Sequence, residues 1–593
     1  MKWSYSLPVA LATLSASLLY AADLPKQLSS DVQIRAMQDE LARSKTLALS
    51  NLDKPYFIQY TTSDAEEFTA SASLGGLISS SSAHVRQPRI DIRVGGYDFD
   101  NTNSVYSGRA SFGLFPLDDN YRAMRSILWL ATDSLYKSAA DQISRKRTVL
   151  REIADPDKTP DFAPASPVQI VERVPDAKVD ERLWKDLVRK LSAVFANYSS
   201  VTASQVRFRT ISSTYRLVNT EGTVLRVPQQ LSDLAVTASA LAPDGTRVWN
   251  HRLLTGLVPA QLPGPEALQV IAQKTAEETD LLLKAPKGEE YAGPVLFEGE
   301  AAAQMIGQVL TDALRLPRKP LAPPGSSSPA TQMIESVWAT RLGSKVVPEW
   351  LSIIDDPAEE KFEGAPLAGY YRVDDEGVPV QRLTLVDKGV LKGFLLSRAP
   401  VRKFNGSNGH GRLPGRFGSE EAVIGNLFVQ TEGGVPDDQL RQRLIDKVKS
   451  SGLKYGLIVR RLDFPSTSNF QELQSLARQM QKSGFSRTLN APLLAYKVYP
   501  DGREELVRGL RFGEFSAKDL RDIAAVSSRR YVFNYVNNGS SLNVADAASD
   551  ATSSSVIAPS MLFDSVDLAP AESEAGRPPT VPPPALISQL VSQ

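Results

Sequence analysis

The residues best placed for chemistry lie between 291 and 310, in the run YAGPVLFEGEAAAQMIGQVL. A short apolar segment, Pro294 to Phe297, passes through Glu298-Gly299-Glu300 into an alanine-rich helical pattern. A glutamate on the first turn of a helix, just after a strand, is a position where many hydrolases keep a general base. Glu300, Gln304 and Gln308 recur at i, i+4 and i+8, so they share one stripe of that helix. Ala302, Ile306, Val309, Ala313 and Leu314 form the opposite, apolar stripe. Two readings are open. The helix is either ordinary and amphipathic, with Glu300 favoured by the helix dipole, or its polar stripe faces a cavity and contacts peptide.

A second candidate is His410, in the glycine-rich run NGSNGHGR with Arg412 close by. The pair could hold a peptide carboxylate or carbonyl; a tight turn with an exposed histidine is the plainer alternative. Asp374-Asp375-Glu376-Gly377 reads as a turn between strands, because a hard-cation site needs more oxygen ligands at regular spacing. His251, in VWNHR, reads as a core or surface histidine beside a strand. The chain has no cysteine and only three histidines, His84, His251 and His410, far apart in sequence. That inventory removes thiolate nucleophiles and every zinc site that uses cysteine. No G-x-S-x-G elbow and no Walker or Rossmann glycine motif occurs.

These residues are carried by 593 residues, enough for at least two folded units. The composition, 42% hydrophobic and 23% charged, is that of a globular chain with sizeable cores. Basic and acidic residues both number 67, and no dense Lys/Arg run appears, so nothing points to nucleic acid. The start, MKWSYSLPVALATLSASLLYAADLP, has an early lysine, an apolar stretch from Leu7 to Leu19, and small residues at Ala21 and Ala22. It reads as a secretory signal cut near those alanines rather than a retained anchor, being shorter than the ~20 residues of a membrane span. The mature chain is therefore expected to be exported, secreted or periplasmic, with no stable membrane span. Without disulfides it must rely on core burial.

Helical spacing marks Asp31–Asn51, Tyr121–Ile153 with Trp129, Leu130, Leu135 and Tyr136 as core contacts, Asp180–Tyr198 and Pro265–Leu283. Strand patterns fall at Tyr56–Thr61, Ile90–Val94, Val206–Thr210, Tyr215–Asn219 and Leu231–Ala238, with a turn at Asn219–Gly222. Asp155–Val168 reads as a proline-rich connector, and KAPKGEEY as a hinge into a second unit beginning near Tyr291. That unit holds the Glu300 helix, a Pro/Ser-rich insert at Pro317–Pro329 and a β region after Val346. Helices near 437–451 and 469–483 flank a strand at Leu457–Arg461. Val536–Ser555 reads as a low-complexity loop, and the end is Pro-rich.

The run APLAGYYRVDDEGVPVQRLTLVDKGVLKGFLLSRAPVRKF (365–404), then GSNGHGR (406–412), resembles the C-terminal part of the TldD/PmbA family of zinc metallopeptidases. YAGPVLFEGEAAAQMIG resembles the family's strand and helix upstream, and PEWLSIIDDP (348–357) its PmbA (TldE) branch. In the catalytic TldD branch that helix carries HExxxH and a late cysteine adds a third zinc ligand. Laid on this chain, the motif puts Gly299 and Gln304 where the histidines stand, keeps Glu300, and finds no cysteine.

The resemblance implies an α+β fold of two large units. These are an N-terminal mixed α/β domain (23–285) and a C-terminal β-rich region of the TldD/PmbA type (286–570), after a signal (1–22) and before a Pro-rich tail (571–593). It implies a non-catalytic subunit of a two-chain metallopeptidase acting on peptides or unfolded segments, with no cofactor in this chain and zinc only in an HExxxH-bearing partner. Glu300 would be a remnant of the motif, and Gln304, His410 and Arg412 would contact substrate. The alternatives are an active peptidase with an unusual site around Glu300, and a peptide-binding or scaffolding homodimer.

Overall fold

The computed structural model describes residues 30–48, 52–108, 113–153, 158–175, 178–326, 335–414, 417–464, 489–537 and 552–571. The signal segment, the helix read over 469–483, residues 538–551 of the low-complexity stretch and the tail beyond 571 lie outside the described residues.

The chain folds as α+β in two domains. The first is built on two long hairpins, β1 (Pro55–Ser73) with β2 (Gly76–Val94), and β4 (Val201–Asn219) with β5 (Val224–Leu241). The short β3 (Gln169–Val171) and β6 (Arg247–Gly256) both add to β5, giving the order β2-β1-β4-β5-β3 with β6 beside β5. Only β3 runs parallel to its neighbour. The segments read as two strands, Val206–Thr210 and Tyr215–Asn219, are one continuous strand, because the polar residues between them pair across to β1 and β5. The expected turn at 219–222 is present: the Asn219 side chain accepts from the Gly222 and Thr223 amides at 3.1 and 3.0 Å, and Gly222 takes φ +103°.

Helices α1 (Val32–Ser44), α2 (Tyr121–Arg151), α3 (Glu181–Ala193) and α4 (Pro265–Lys284) complete this domain. All four pack on one face of the sheet, against alternate residues such as Ile58, Tyr60, Phe68 and Ala70 of β1 and Val206, Phe208 and Val218 of β4. On α2 the buried stripe is Met124, Leu128, Ala131, Tyr136, Ala139 and Ile143, at alternating steps of three to five. Trp129 and Leu130, expected in the core, lie off that stripe and are 52% and 63% exposed.

The second domain is an eleven-stranded sheet among the described residues. Its path runs Val390–Leu391, Leu383–Asp387, Leu351–Asp355, Asn426–Thr431, Thr552–Pro570, β7 (Tyr291–Phe297), Gly456–Leu462, Pro492–Val498, Glu504–Val507. Leu510–Phe512 and Ile523–Asn537 also pair with Thr552–Pro570. Val536, Asn537 and 552–555, read as loop, therefore belong to strands. Helix α5 (Glu300–Ala313) covers one face together with the 338–404 loops, and α6 (Asp437–Ser450) covers the other.

The connector joins the two domains through aromatic and ionic contacts. Phe162 lies between the Arg93 and Arg398 guanidinium groups, 3.7 and 4.0 Å from its ring centroid. Arg398 donates to Glu221 at 2.6 Å, Arg93 donates to the Gly418 carbonyl at 3.0 Å, and Arg318 donates to the Thr159 carbonyl at 2.8 Å. Among the described residues no helix is long and apolar enough to cross a membrane.

Candidate functional site

The candidate site begins where β7 ends. Gly299 caps α5 with φ +57° and ψ −115°, a backbone that L-residues rarely adopt, and its N–H donates to Ser560 Oγ at 3.0 Å. Any Cβ at this position would also meet the Tyr531 ring at 3.4 Å. Glu300 is the first helical residue. The helix it opens is not half-exposed: Ala301, Ala302, Ala303, Met305, Ile306, Gly307, Leu310 and Ala313 are all buried, as are Gln304 and Gln308. The amphipathic reading is thus corrected, because strands and loops pack around the helix on every side.

The polar stripe is occupied by protein contacts. Glu300 Oε2 accepts from Arg252 Nη1 of β6 at 3.0 Å, and Glu300 Oε1 accepts from Gln304 Nε2 at 3.1 Å. Arg252 also pairs with Glu278 of α4 at 3.2 Å. Glu278 in turn holds Arg461 at 2.9 Å, and Arg461 also donates to Asn250 Oδ1 at 2.9 Å. Glu300 is therefore one end of an ion-pair chain that ties the two domains together. Burial raises its pKa, Arg252 opposes that rise, and Glu278 adds to it. Gln304 Oε1 accepts from the Leu462 amide at 2.8 Å, and Gln308 Oε1 accepts from the Asn490 amide at 2.9 Å. Both glutamines spend their carbonyl oxygens on backbone.

A cavity of about 10 Å³ remains beside Glu300 and Gln304, lined also by His251, Leu253, Phe464 and Phe533. It is the size of a single water, too small for a peptide. His251, read as a bland strand residue, thus joins the candidate group. Its Nδ1 is buried without a partner, and burial, aided by Arg252, pulls its pKa to about 4, so the ring is neutral. The signal in sequence was the run NHR on a strand, but only the sheet brings that strand to α5.

His410 and Arg412 sit elsewhere. His410 is fully buried, with Nε2 3.2 Å from Asp355 Oδ1 and Nδ1 3.0 Å from both the carbonyl and the side-chain oxygen of Asn408. The exposed-histidine alternative is corrected: the ring is locked by its neighbours. Arg412 lies over the Tyr371 ring at 4.1 Å and donates to the Ser553 carbonyl at 3.2 Å. Two strands, Thr552–Pro570 and Asn426–Thr431, separate β7 from the strand ending at Asp355. At the usual spacing that is roughly 14 Å, so Glu300 and His410 do not converge.

Asp374–Gly377 forms the expected turn, with Asp374 accepting from the Glu376, Val378 and Gly411 amides. Its tip meets the first domain, where Tyr215 donates to the Asp375 carbonyl at 2.8 Å. Burial raises the Asp375 carboxyl to about 6 and the Glu376 carboxyl to about 7.

A zinc ion held on α5 would need donors at 299, 304 and a third position. Gly299 has no side chain, Gln304 is engaged by Leu462, and Glu300 is engaged by Arg252. Among the described residues, no group of three His, Cys, Asp or Glu side chains could hold a metal. The residues present do not fit the ion.

An α+β pair of domains, with a glutamate-headed helix on a large mixed sheet, defines the class. Residues 289–570 match the family described as PmbA/TldA metallopeptidase C-terminal domain. A metalloprotease from Methanothermobacter thermautotrophicus is 24% identical over 270 residues, 44% of this chain and 54% of that relative. One from Archaeoglobus fulgidus is 41% identical over 75 residues, 13% of this chain and 16% of its own. The matched region thus spans about half the length of the first relative and less of the second. TldE from Thermococcus kodakarensis superposes with a TM-score of 0.54 at 12% identity, covering 90% of this chain and 100% of that one. A Thermotoga maritima protein, described as a candidate modulator of a DNA gyrase, gives 0.56 at 16%, covering 90% and 99%. At those identities the likeness carries the fold. Over residues 289–570 the chain carries a C-terminal domain of the PmbA/TldA metallopeptidase type, and its fold is that of these solved structures.

Proposed function

We propose that this chain is an exported, non-catalytic subunit of the TldE/PmbA kind. It would pair with an HExxxH-bearing chain that carries the zinc, and would present peptides or unfolded segments to it. One observation carries the reading. Glu300, the residue aligned with the catalytic glutamate, is bonded to Arg252 and Gln304 in a domain-tying network, while the strand and helix around it persist. Both carboxylate oxygens hold protein donors, which leaves fewer lone pairs to aim at water or substrate than a free general base has. The periplasmic or secreted location rests on the N-terminal apolar segment, and the partner on the family.

The test is co-expression with an exported relative bearing HExxxH. Co-purification in fixed ratio, with zinc in the complex and hydrolysis that survives Glu300→Gln, supports the reading. A chain that never binds such a partner, or that alone hydrolyses peptides in a Glu300-dependent way, overturns it.

A further inference from the structure

The face of the first sheet opposite α1 to α4 holds a group of polar side chains with unmet hydrogen-bonding capacity. Cross-strand register places Thr69 of β1, Arg209 of β4, Asp233 of β5 and Thr255 of β6 in one row. Arg207 lies in the next row along β4. Arg209, Asp233 and Thr255 are buried, at 6%, 1% and 9% exposure. Arg209 Nε donates to Asp233 Oδ2 at 2.9 Å, and Arg207 Nη2 lies 3.6 Å from Asp233 Oδ1, beyond hydrogen-bond reach. Four buried atoms here accept or donate no hydrogen bond within the protein: Arg207 Nε, Arg209 Nη2, Asp233 Oδ1 and Thr255 Oγ1.

Buried polar atoms are rarely left unpaired without a reason, and here donors and an acceptor are orphaned side by side. Two guanidinium groups against one carboxylate leave a local charge of +1, which suits a monoanion. Glu67, one row along on β1, accepts from the Thr69 hydroxyl at 3.5 Å and, among the described residues, forms no ion pair with either arginine. The leftover acceptor, Asp233 Oδ1, calls for an N–H on the same ligand. A peptide chain end offers both: a terminal carboxylate for the arginines and the adjacent amide N–H for Asp233. Leu253, across β5 from Arg207 in the same row, lines the Glu300 cavity. The group therefore lies on the sheet face that approaches α5.

We propose that Arg207, Arg209 and Asp233 form a carboxylate-binding site that anchors the C-terminal end of an extended peptide. The proposal rests on the reading that the chain handles peptides, and names how one end is held.

The experiment is calorimetric titration of the full chain, alone, with an N-acetylated hexapeptide as free acid, as amide, and as amide with an internal aspartate. The free acid should bind about tenfold or more tighter than the amide, the loss expected for charge-assisted bonds. Arg209→Gln should abolish that preference. Should that variant misfold, Arg207→Gln, whose side chain is 20% exposed, serves the same purpose. Asp233→Asn, which removes the competing carboxylate, should tighten free-acid binding, a gain that a merely structural trio would not give. Tight binding of the aspartate-bearing amide would assign the site to acidic side chains as well as chain ends and still support a carboxylate site. Equal binding of acid and amide overturns the site and leaves the peptide-handling reading standing. No binding of any peptide overturns both.

Discussion

The Glu300–Arg252 pair decides whether this helix carries chemistry or holds domains together, and a double-mutant cycle reads it directly. The perturbations are Glu300→Gln, Arg252→Met and the two combined. Side-chain exposures of 32% and 25% place the pair between a surface bridge, worth about 0.2–1 kcal/mol, and a buried one, whose disruption costs about 3–5 kcal/mol. A coupling of about 1–2 kcal/mol follows. Arg252→Met should be the costlier single change, since it leaves Glu300 and Glu278 facing each other without their shared cation. Glu300→Gln keeps an acceptor for Gln304 and loses the charge alone. Urea unfolding at pH 7, followed by a fluorescence probe at the domain junction, gives the four midpoints. In parallel, the chain is assayed for peptide hydrolysis, alone and with the proposed HExxxH-bearing partner. Additive midpoints, with coupling under about 0.3 kcal/mol, would refute the structural role. So would a loss of hydrolysis of several orders in Glu300→Gln with unchanged stability.

Restoring the missing histidines should not restore a metal site: Gly299→His with Gln304→His is expected to gain no stoichiometric zinc by atomic emission and to lose about 1–3 kcal/mol of stability, because the Leu462 amide loses its acceptor. Phe162→Ala should lower the unfolding free energy by about 3–5 kcal/mol and raise protease susceptibility of the connector over 158–168, since two guanidinium groups lose the ring between them. The buried Glu376 carboxyl is pushed up to about 7, so between its ordinary value and that pH the folded chain binds more protons than the unfolded one. Its stabilising share is present at acid pH and lost as pH rises through about 7; Glu376→Gln should flatten this slope, on the order of 3 kcal/mol at most, in unfolding midpoints measured from pH 5 to 8.

Legibility followed the range of the forces involved. The β7-to-α5 transition, the four N-domain helices and the Asn219 turn could be read because periodicity and turn chemistry are local. The strand Val201–Asn219 was read as two, because its middle is polar: SSTY pairs with β1 and β5, and Tyr215 reaches the Asp375 carbonyl, so the stretch shows no apolar alternation. Trp129 and Leu130 misled for the opposite reason, since apolar type outweighed their position off the buried stripe of α2. His251 and Arg252 were invisible as site residues, because their approach to Glu300 depends on how two domains, about fifty positions apart in sequence at this contact, are set against each other.

The helix head departs from the HExxxH pattern in more than its side chains. A histidine at 299 that ligated metal would have to lie on the same helix as its partner one turn on, yet α5 starts only at Glu300 and Gly299 turns into it with positive φ. The Gly299 amide is spent on Ser560, the Gln304 oxygen on Leu462, and the Glu300 carboxylate on Arg252. Each contact bonds a different neighbouring element, so no single substitution frees the site, and each reversal removes a tie of the helix to the rest of the fold. The head of this helix is held in place by a backbone turn, an amide and a salt bridge. Such a helix head needs no ion to hold it, which is what the proposed non-catalytic subunit requires.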